Sequence, residues 1–116
     1  MKVIDKSSFL DTFQYFDKEI VVEIIDIFLQ EYPGRLVNIK KDIESGDFDA
    51  LKFDAHSLKG VVSNFVAKAP QDYAKELEMK GTIKDSTDLL DTFQKLEISI
   101  YDLVDDLNEL RSAFVI

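Results

Sequence analysis

The chain contains no cysteine and a single histidine, and both scarcities narrow its chemistry. Without cysteine there is no disulfide, no thiol nucleophile and no thiolate metal site, and one histidine excludes a multi-histidine metal site within one chain. No apolar run approaches the roughly 18 residues that span a bilayer, and the N-terminus MKVIDKSSF lacks the apolar stretch of a secretion signal. We therefore expect a cytoplasmic protein that does not enter a membrane.

Basic residues are the minority among the charges. The sequence has 14 lysines and arginines against 23 aspartates and glutamates, which gives a formal net charge of -9. Such a balance disfavours nonspecific attraction to nucleic acid or anionic lipid, so neither is an expected partner. A length of 116 residues suits one domain over residues 1–116, with one site or one interface carrying the function.

Apolar residues recur at helical spacing through most of the chain. In the C-terminal third, steps of four and three predict one long helix, with Asp85, Ser86 or Thr87 as its N-cap. Its apolar seam consists of Leu89, Phe93, Leu96, Ile100, Leu103, Leu107, Leu110 and Phe114. No convincing strand pattern accompanies these repeats, so the sequence favours an all-α fold.

Proline and glycine divide the remainder into further helices. The first long stretch should end at Gly46 and be kinked or split by Pro33. Its predicted apolar face consists of Ile20, Ile24, Phe28, Leu36, Ile39 and Ile43. A helix over about 47–67 follows, and then a shorter one that starts at Pro70 and is closed by Gly81. With a short additional N-terminal helix over 8–16, these elements predict an antiparallel up-and-down four-helix bundle.

The only histidine falls on the polar side of the third predicted helix. At about 100 degrees per residue, the core side is formed by Leu51, Ala55, Leu58, Val62, Phe65 and Val66. His56 lies nearly opposite that cluster, and it shares its side with Lys52, Phe53, Lys59, Gly60, Ser63 and Ala67. The pattern predicts a solvent-facing imidazole, although an ordinary surface histidine has the same pattern.

Gly60 is the residue that favours a functional role for this histidine. The other three glycines follow a proline or lie where helices are predicted to end, whereas Gly60 sits inside a helix, where glycine costs about 1 kcal/mol relative to alanine. One turn after His56, it leaves space beside the ring, and the ammonium groups of Lys59 and Lys52 favour an anion there. An exposed imidazole is a nucleophile at neutral pH, so phosphoryl transfer is the natural candidate chemistry.

The segment SGDFDALKFDAHSLKGVVSNFVAKAPQDYAKELEMKG resembles the histidine-containing phosphotransfer domain of two-component phosphorelays. The resemblance rests on AHSLKG and on ELE in the next helix, and it agrees in helix order over nearly the whole chain. It implies that His56 takes a phosphoryl group from the aspartyl phosphate of a receiver domain, or from a histidine kinase, and passes it to another receiver. Such domains are carriers without kinase activity or a cofactor of their own, and the Mg²⁺ belongs to the receiver.

The resemblance also assigns roles to single residues. It implies that Lys59 neutralises phosphoryl charge, that Gly60 makes room for the receiver, and that Glu78 orients the imidazole, where many members of the family have glutamine. Lys52, Phe53, Ser63 and Ala67 are expected at the receiver-binding surface. A solvated acidic residue remains the alternative for Glu78, and partial burial against a neighbouring helix remains the alternative for Phe53.

The chain departs from the family pattern at three valines. Val61 and Val62 stand where small residues are usual, and Val66 replaces a glycine that often precedes the position of Ala67. These valines are expected to affect packing and partner choice more than phosphorylation.

Two other functions stay open at this point. One is a silent relative that binds or sequesters a receiver without transferring a phosphoryl group. The other is a helical assembly module that oligomerises through the long C-terminal seam. For the carrier we expect a freestanding monomer, and an independently catalytic enzyme is the most remote reading.

Overall fold

A computed structural model describes residues 18–115, and the side chains of residues 19–112. The described residues form four α-helices and no β-strand: α1 (Lys18–Ser45), α2 (Phe48–Ser63), α3 (Lys68–Ile83) and α4 (Leu89–Val115). The expected additional helix over 8–16 lies outside this range. None of the helices within it combines the length and the apolar character needed to cross a membrane.

The helices are arranged in a ring. The helix α1 contacts α2 and α4, and α3 contacts the same two helices from the other side. Because the connections are only two to five residues long, successive helices run antiparallel, as predicted for an up-and-down bundle. The interior is filled by apolar side chains from all four helices, among them Ile25, Ile39, Leu58, Leu77 and Leu96, each almost completely buried.

The long C-terminal seam is confirmed as core. Its members from Leu89 to Leu110 are all buried inside the chain, whereas the side chain of Phe114 lies outside the described residues. The predicted N-caps are wrong. The helix α4 begins at Leu89, and its first backbone hydrogen bond runs from the Thr92 N–H to the Asp88 carbonyl at 3.0 Å. Asp85 instead accepts from the Thr87 N–H at 2.9 Å and stabilises the connecting turn.

The helix α1 is continuous through Pro33, so of the two predicted alternatives, a kink or a split, the split is wrong. Its core face also differs by one position at the start, since Ile20 is 46% exposed while Val21 is buried. The predicted end at Gly46 is confirmed: the residue has a φ of 69°, its N–H donates to the Ile43 carbonyl, and the Asp47 N–H donates to the Asp42 carbonyl. This is a Schellman motif, which requires a left-handed residue at that position.

The second helix starts as predicted and ends early. Asp47 is its N-cap, with a side chain that accepts from the Ala50 N–H at 3.0 Å. The helix ends at Ser63 instead of near residue 67, because Val66 adopts a left-handed conformation with a φ of 54°. A left-handed conformation costs a residue other than glycine about 1–2 kcal/mol.

We expect Val66→Gly to raise the free energy of unfolding by about 1 kcal/mol, because glycine adopts this conformation without strain. The matched control is Val61→Gly, which places the same substitution inside α2 and should lower the free energy of unfolding by about 1 kcal/mol. Urea denaturation measures both variants. Equal destabilisation by the two substitutions would show that the turn at Val66 stores no strain.

A carboxyl pair lies between α1 and α2. The Oδ2 atom of Asp42 is enclosed and receives no hydrogen bond from an N–H or O–H donor of the described residues. Burial, together with the hydrogen bond and the negative charge of Asp54, raises the pKa of Asp42 to about 7. The folded chain therefore keeps a proton on Asp42 up to about pH 7. The unfolded chain releases that proton near the ordinary carboxyl pKa of 3.8.

The stability that this proton contributes is complete below pH 4 and is lost as the pH rises towards 7, since the folded state binds the additional proton. We expect Asp42→Asn to be more stable than the wild type by about 1–2 kcal/mol above pH 8, with little difference near pH 5. Urea unfolding across this range measures the effect, and Asp105→Asn on the exposed face of α4 serves as the control. A difference in the free energy of unfolding between the wild type and Asp42→Asn that does not change with pH would contradict the proton held at Asp42 in the folded chain.

Candidate functional site

The helix α2 presents His56 to solvent, as its spacing predicts. Ala55 and Leu58 on either side of it are fully buried in the core, while the His56 side chain is 68% exposed. The imidazole therefore has no packing role in the bundle. Since the core residues fix the rotation of α2, they also fix the direction in which the ring leaves the helix.

Glu78 on α3 holds one side of the ring. Its Oε2 atom lies 2.8 Å from Nδ1 of His56, and its side chain is 16% exposed. The alternative of a fully solvated glutamate is wrong. Because a carboxylate only accepts hydrogen bonds, Nδ1 donates its hydrogen to Glu78, and the lone pair of the neutral ring is then on Nε2.

Lys59 joins the same carboxylate from the other side. Its Nζ atom lies 2.5 Å from Oε1 of Glu78, so each oxygen of the carboxylate serves a different residue of α2. The hydrogen bond from Lys59 is the main reason why the pKa of Glu78 lies below its ordinary value, and the hydrogen bond with His56 adds to that effect against the opposing influence of burial. Glu78 is therefore ionised at neutral pH.

Gly60 leaves the surface beside the ring open. Beyond its chain neighbours and the backbone of its own helix, a Cβ atom built on it would meet no heavy atom within 4 Å, which confirms that packing does not require a glycine there. The hydroxyl of Ser63, one turn further, donates to the Gly60 carbonyl at 2.6 Å. A partner can thus approach the backbone of α2 closely next to His56.

Close contact between α2 and α3 brings Glu78 to the ring. A Cβ atom on Gly81 would lie 2.9 Å from the Lys52 backbone nitrogen and 3.0 Å from the Phe48 carbonyl oxygen. The prediction that Gly81 ends α3 is wrong, because α3 continues to Ile83 and Lys84 is the left-handed residue that ends it. Gly81 instead permits the two helix backbones to meet one turn away from Glu78.

The surroundings of the ring are partly as predicted. Lys52 and Ser63 are exposed, and Phe53 is 73% exposed, so its alternative of partial burial is wrong. A shallow hollow of about 500 Å³ is lined by Asp49, Lys52, Phe53, His56 and Glu78.

The predicted position of Ala67 is wrong. It was expected on the exposed face of α2, but it lies beyond the end of that helix and is completely buried. The left-handed turn at Val66 directs the chain inward at this point, which the extrapolated helical projection could not register. Val62 is buried and Val61 is partly buried, as the projection indicates.

Two neighbours of the site were missed by the sequence analysis. Asp49 lines the hollow and lies seven residues before His56, a spacing that places both on one helical face and so could have been noticed. Arg35 of α1 donates from Nη1 to the hydroxyl of Ser57, the residue after His56, at 2.8 Å. No local pattern signals that contact, since the two residues belong to different helices.

Comparison with known proteins gives a family match and a fold match. A family model described as the Hpt domain matches residues 23–113. The crystal structure of histidine-containing phosphotransfer protein B (HptB) from Pseudomonas aeruginosa PAO1 has a similar fold, with a TM-score of 0.87 and 23% sequence identity over 96% of each chain. No curated protein matches the sequence significantly.

Proposed function

The chain belongs to the Hpt domain family, and from that premise we propose that it is a phosphoryl carrier of a phosphorelay, with His56 as the residue that receives and donates the group. The observation that carries the proposal is the pairing of Nδ1 with Glu78 at 2.8 Å on a side chain that is 68% exposed. In the neutral ring this pairing places the lone pair on Nε2. The proposal includes a cytoplasmic location, where receivers and kinases of such relays act.

Transfer takes place between Nε2 and the active-site aspartate of a receiver domain. The Nε2 lone pair attacks the phosphorus of the aspartyl phosphate, a nitrogen–phosphorus bond forms, and the bond from phosphorus to the aspartate oxygen breaks with its electron pair on the aspartate. The hydrogen on Nδ1 stays with the ring, and the Glu78 carboxylate stabilises the positive charge that develops there. Donation to a second receiver reverses these steps.

The protein side of this reaction needs positioning and docking. Gly60 lets the receiver reach the ring, and the apolar surface of Phe53 adds contact area next to it. Lys52 and Lys59 favour an acidic partner site in a chain that is otherwise strongly acidic. In the proposal the Mg²⁺ is held by the receiver, and a histidine kinase is a possible first donor.

The fold does not favour the alternative of a helical assembly module. The C-terminal seam from Leu89 to Leu110 is buried within the chain and is not available for oligomerisation. We propose a monomer, which sedimentation would check. The silent relative that binds a receiver without transfer is the remaining alternative, and no contact within the site favours it.

A phosphotransfer assay tests the proposal. The purified protein is incubated with each phosphorylated receiver of its organism, and labelling is followed from seconds to minutes. We expect at least one receiver to transfer its group and the product to be labile in acid and stable in base, as a phosphohistidine is. Receivers that bind the protein yet never transfer to it would establish the silent alternative instead.

A further inference from the structure

A groove runs along the outside of the bundle between α1 and α4. Its volume is about 300 Å³, and its walls include Val37 and Lys40 of α1 and Glu97 and Tyr101 of α4. Because the helices contact one another around the ring in the order α1, α2, α3, α4, this groove lies on the side opposite α2 and α3. It is therefore remote from His56 and takes no part in the proposed phosphoryl transfer.

Apolar side chains are exposed beside this groove. Val37 is 65% exposed, Tyr101 is 49% exposed, and Ile98, which follows Glu97 on α4, is 62% exposed. The ring of Tyr101 stands edge-on to that of Tyr32, with the ring centroids 6.4 Å apart, so a partner meets a ring that is already positioned. Apolar residues exposed singly are ordinary, but a group of them beside a groove is typical of an interaction surface.

The groove also carries two charges of opposite sign. Lys40 lines it from α1 and Glu97 lines it from α4, yet the two do not form an ion pair, and neither is paired with another of the described residues. Since both line one short groove, they lie at about the same level along the bundle. A surface that holds a cation on one helix and an anion on the other is complementary to a second copy of itself.

We propose that this surface binds a second copy of the chain, with the two copies related by a two-fold axis parallel to the helices. Such an axis places α1 of one copy opposite α4 of the other. Lys40 then meets Glu97 of the second copy, and the same ion pair forms again on the other side of the axis. Val37 faces the exposed apolar residues Ile98 and Tyr101 of the second copy.

The contact is small, so the association is weak. Three exposed apolar side chains and two ion pairs are far fewer contacts than the roughly 20–30 residues per partner of a standard interface. Each copy also carries a formal net charge of -9, which opposes association. We expect a dissociation constant on the order of 100 µM at physiological salt, so the monomer proposed above is the main form at low micromolar concentration. Both His56 side chains face away from the contact and stay accessible to receivers.

Sedimentation equilibrium with two charge reversals tests this contact. Between about 5 and 500 µM, the average mass of the wild type should rise from that of one chain towards that of two. Lys40→Glu and Glu97→Lys, each alone, place like charges opposite each other and should raise the dissociation constant about tenfold or more. An equimolar mixture of the two variants should associate again, because each contact then joins a lysine of one chain to a glutamate of the other.

Lys75→Glu and Glu76→Lys are the matched controls. They change the net charge by the same amounts at exposed positions of α3 and should leave the dissociation constant within about threefold of the wild type, since screening weakens charges away from the contact. Thermal unfolding shows whether each variant is folded. A wild type that stays monomeric throughout would overturn the proposal and leave the groove to a different protein, and a mixture that associates no better than its components would also overturn it. The measurement needs no receiver, so its outcome does not depend on the proposed function.

Discussion

Replacing His56 with glutamine is expected to abolish phosphoryl labelling of the protein while leaving its fold and its binding to receivers intact. Glutamine lacks a nucleophilic nitrogen, since the amide lone pair is delocalised, yet it retains a polar side chain on the exposed face of α2. The chain has no second histidine that could take over the reaction. We expect at least a thousandfold loss in the initial rate of labelling, the order found when an essential nucleophile is removed.

Ser63→Ala is the control for this variant. The serine hydroxyl lies on the same exposed face one turn beyond Gly60 and donates to the Gly60 carbonyl, so its loss tests whether any nearby change stops labelling. We expect Ser63→Ala to be labelled still, at worst more slowly because it lies at the expected receiver-binding surface. Circular dichroism and a receiver-binding titration should show that His56→Gln is folded and binds. Undiminished labelling of His56→Gln would refute the carrier function.

Replacing Gly81 with alanine is expected to lower the free energy of unfolding by about 2–3 kcal/mol, the upper part of the usual range for overpacking. The new methyl group would lie 2.9 Å from the Lys52 backbone nitrogen, 3.0 Å from the Phe48 carbonyl oxygen and 3.1 Å from the Lys52 Cα. All three are backbone atoms, which cannot rotate away as a flexible side chain can. The helices α2 and α3 must therefore separate.

The same separation should weaken the site. Glu78 lies one turn before Gly81, so a displacement of α3 lengthens its hydrogen bond to His56 Nδ1. We expect phosphoryl transfer to slow in Gly81→Ala even at temperatures where the variant is fully folded. Urea denaturation and the transfer assay measure the two effects.

Gly60→Ala provides the matched comparison. The substitution is the same, but no heavy atom beyond the chain neighbours and the backbone of the same helix lies within 4 Å of the new atom, and alanine favours the helix by about 1 kcal/mol. This variant should be more stable than the wild type and yet transfer more slowly, because the methyl group obstructs the receiver. If Gly60→Ala and Gly81→Ala changed the free energy of unfolding in the same way, the close backbone contact at Gly81 would be refuted.

The single-helix features of the site could be predicted from the sequence. The exposure of His56, the open surface at Gly60 and the buried seam of α4 follow from the helical period, which is a local property of the backbone. The ends of helices were harder to predict. The sequence analysis extended α2 to about residue 67 because Pro70 was taken as the start of the next helix, and valine rarely adopts the left-handed conformation that Val66 has here.

Contacts between helices required the tertiary structure. The proximity of Glu78 to His56 had been inferred from the family resemblance, but the bond between Glu78 and Lys59 had not, because it depends on the distance between α2 and α3. Asp42 is a further example: its carboxyl is unremarkable in the sequence, and only its burial beside Asp54 gives it a pKa of about 7.

By itself, then, the sequence determined an all-helical chain with one exposed imidazole, an open glycine one turn beyond it and a lysine on the same side, because each of these depends on the spacing within a single helix. The tertiary structure decided which groups hold that imidazole. Gly81 allows α3 to approach the backbone of α2, and that approach brings the Glu78 carboxylate between His56 and Lys59. Glycine has the same appearance in a sequence whether it ends a helix or admits a neighbouring one, and only the packing of the two helices distinguishes these roles.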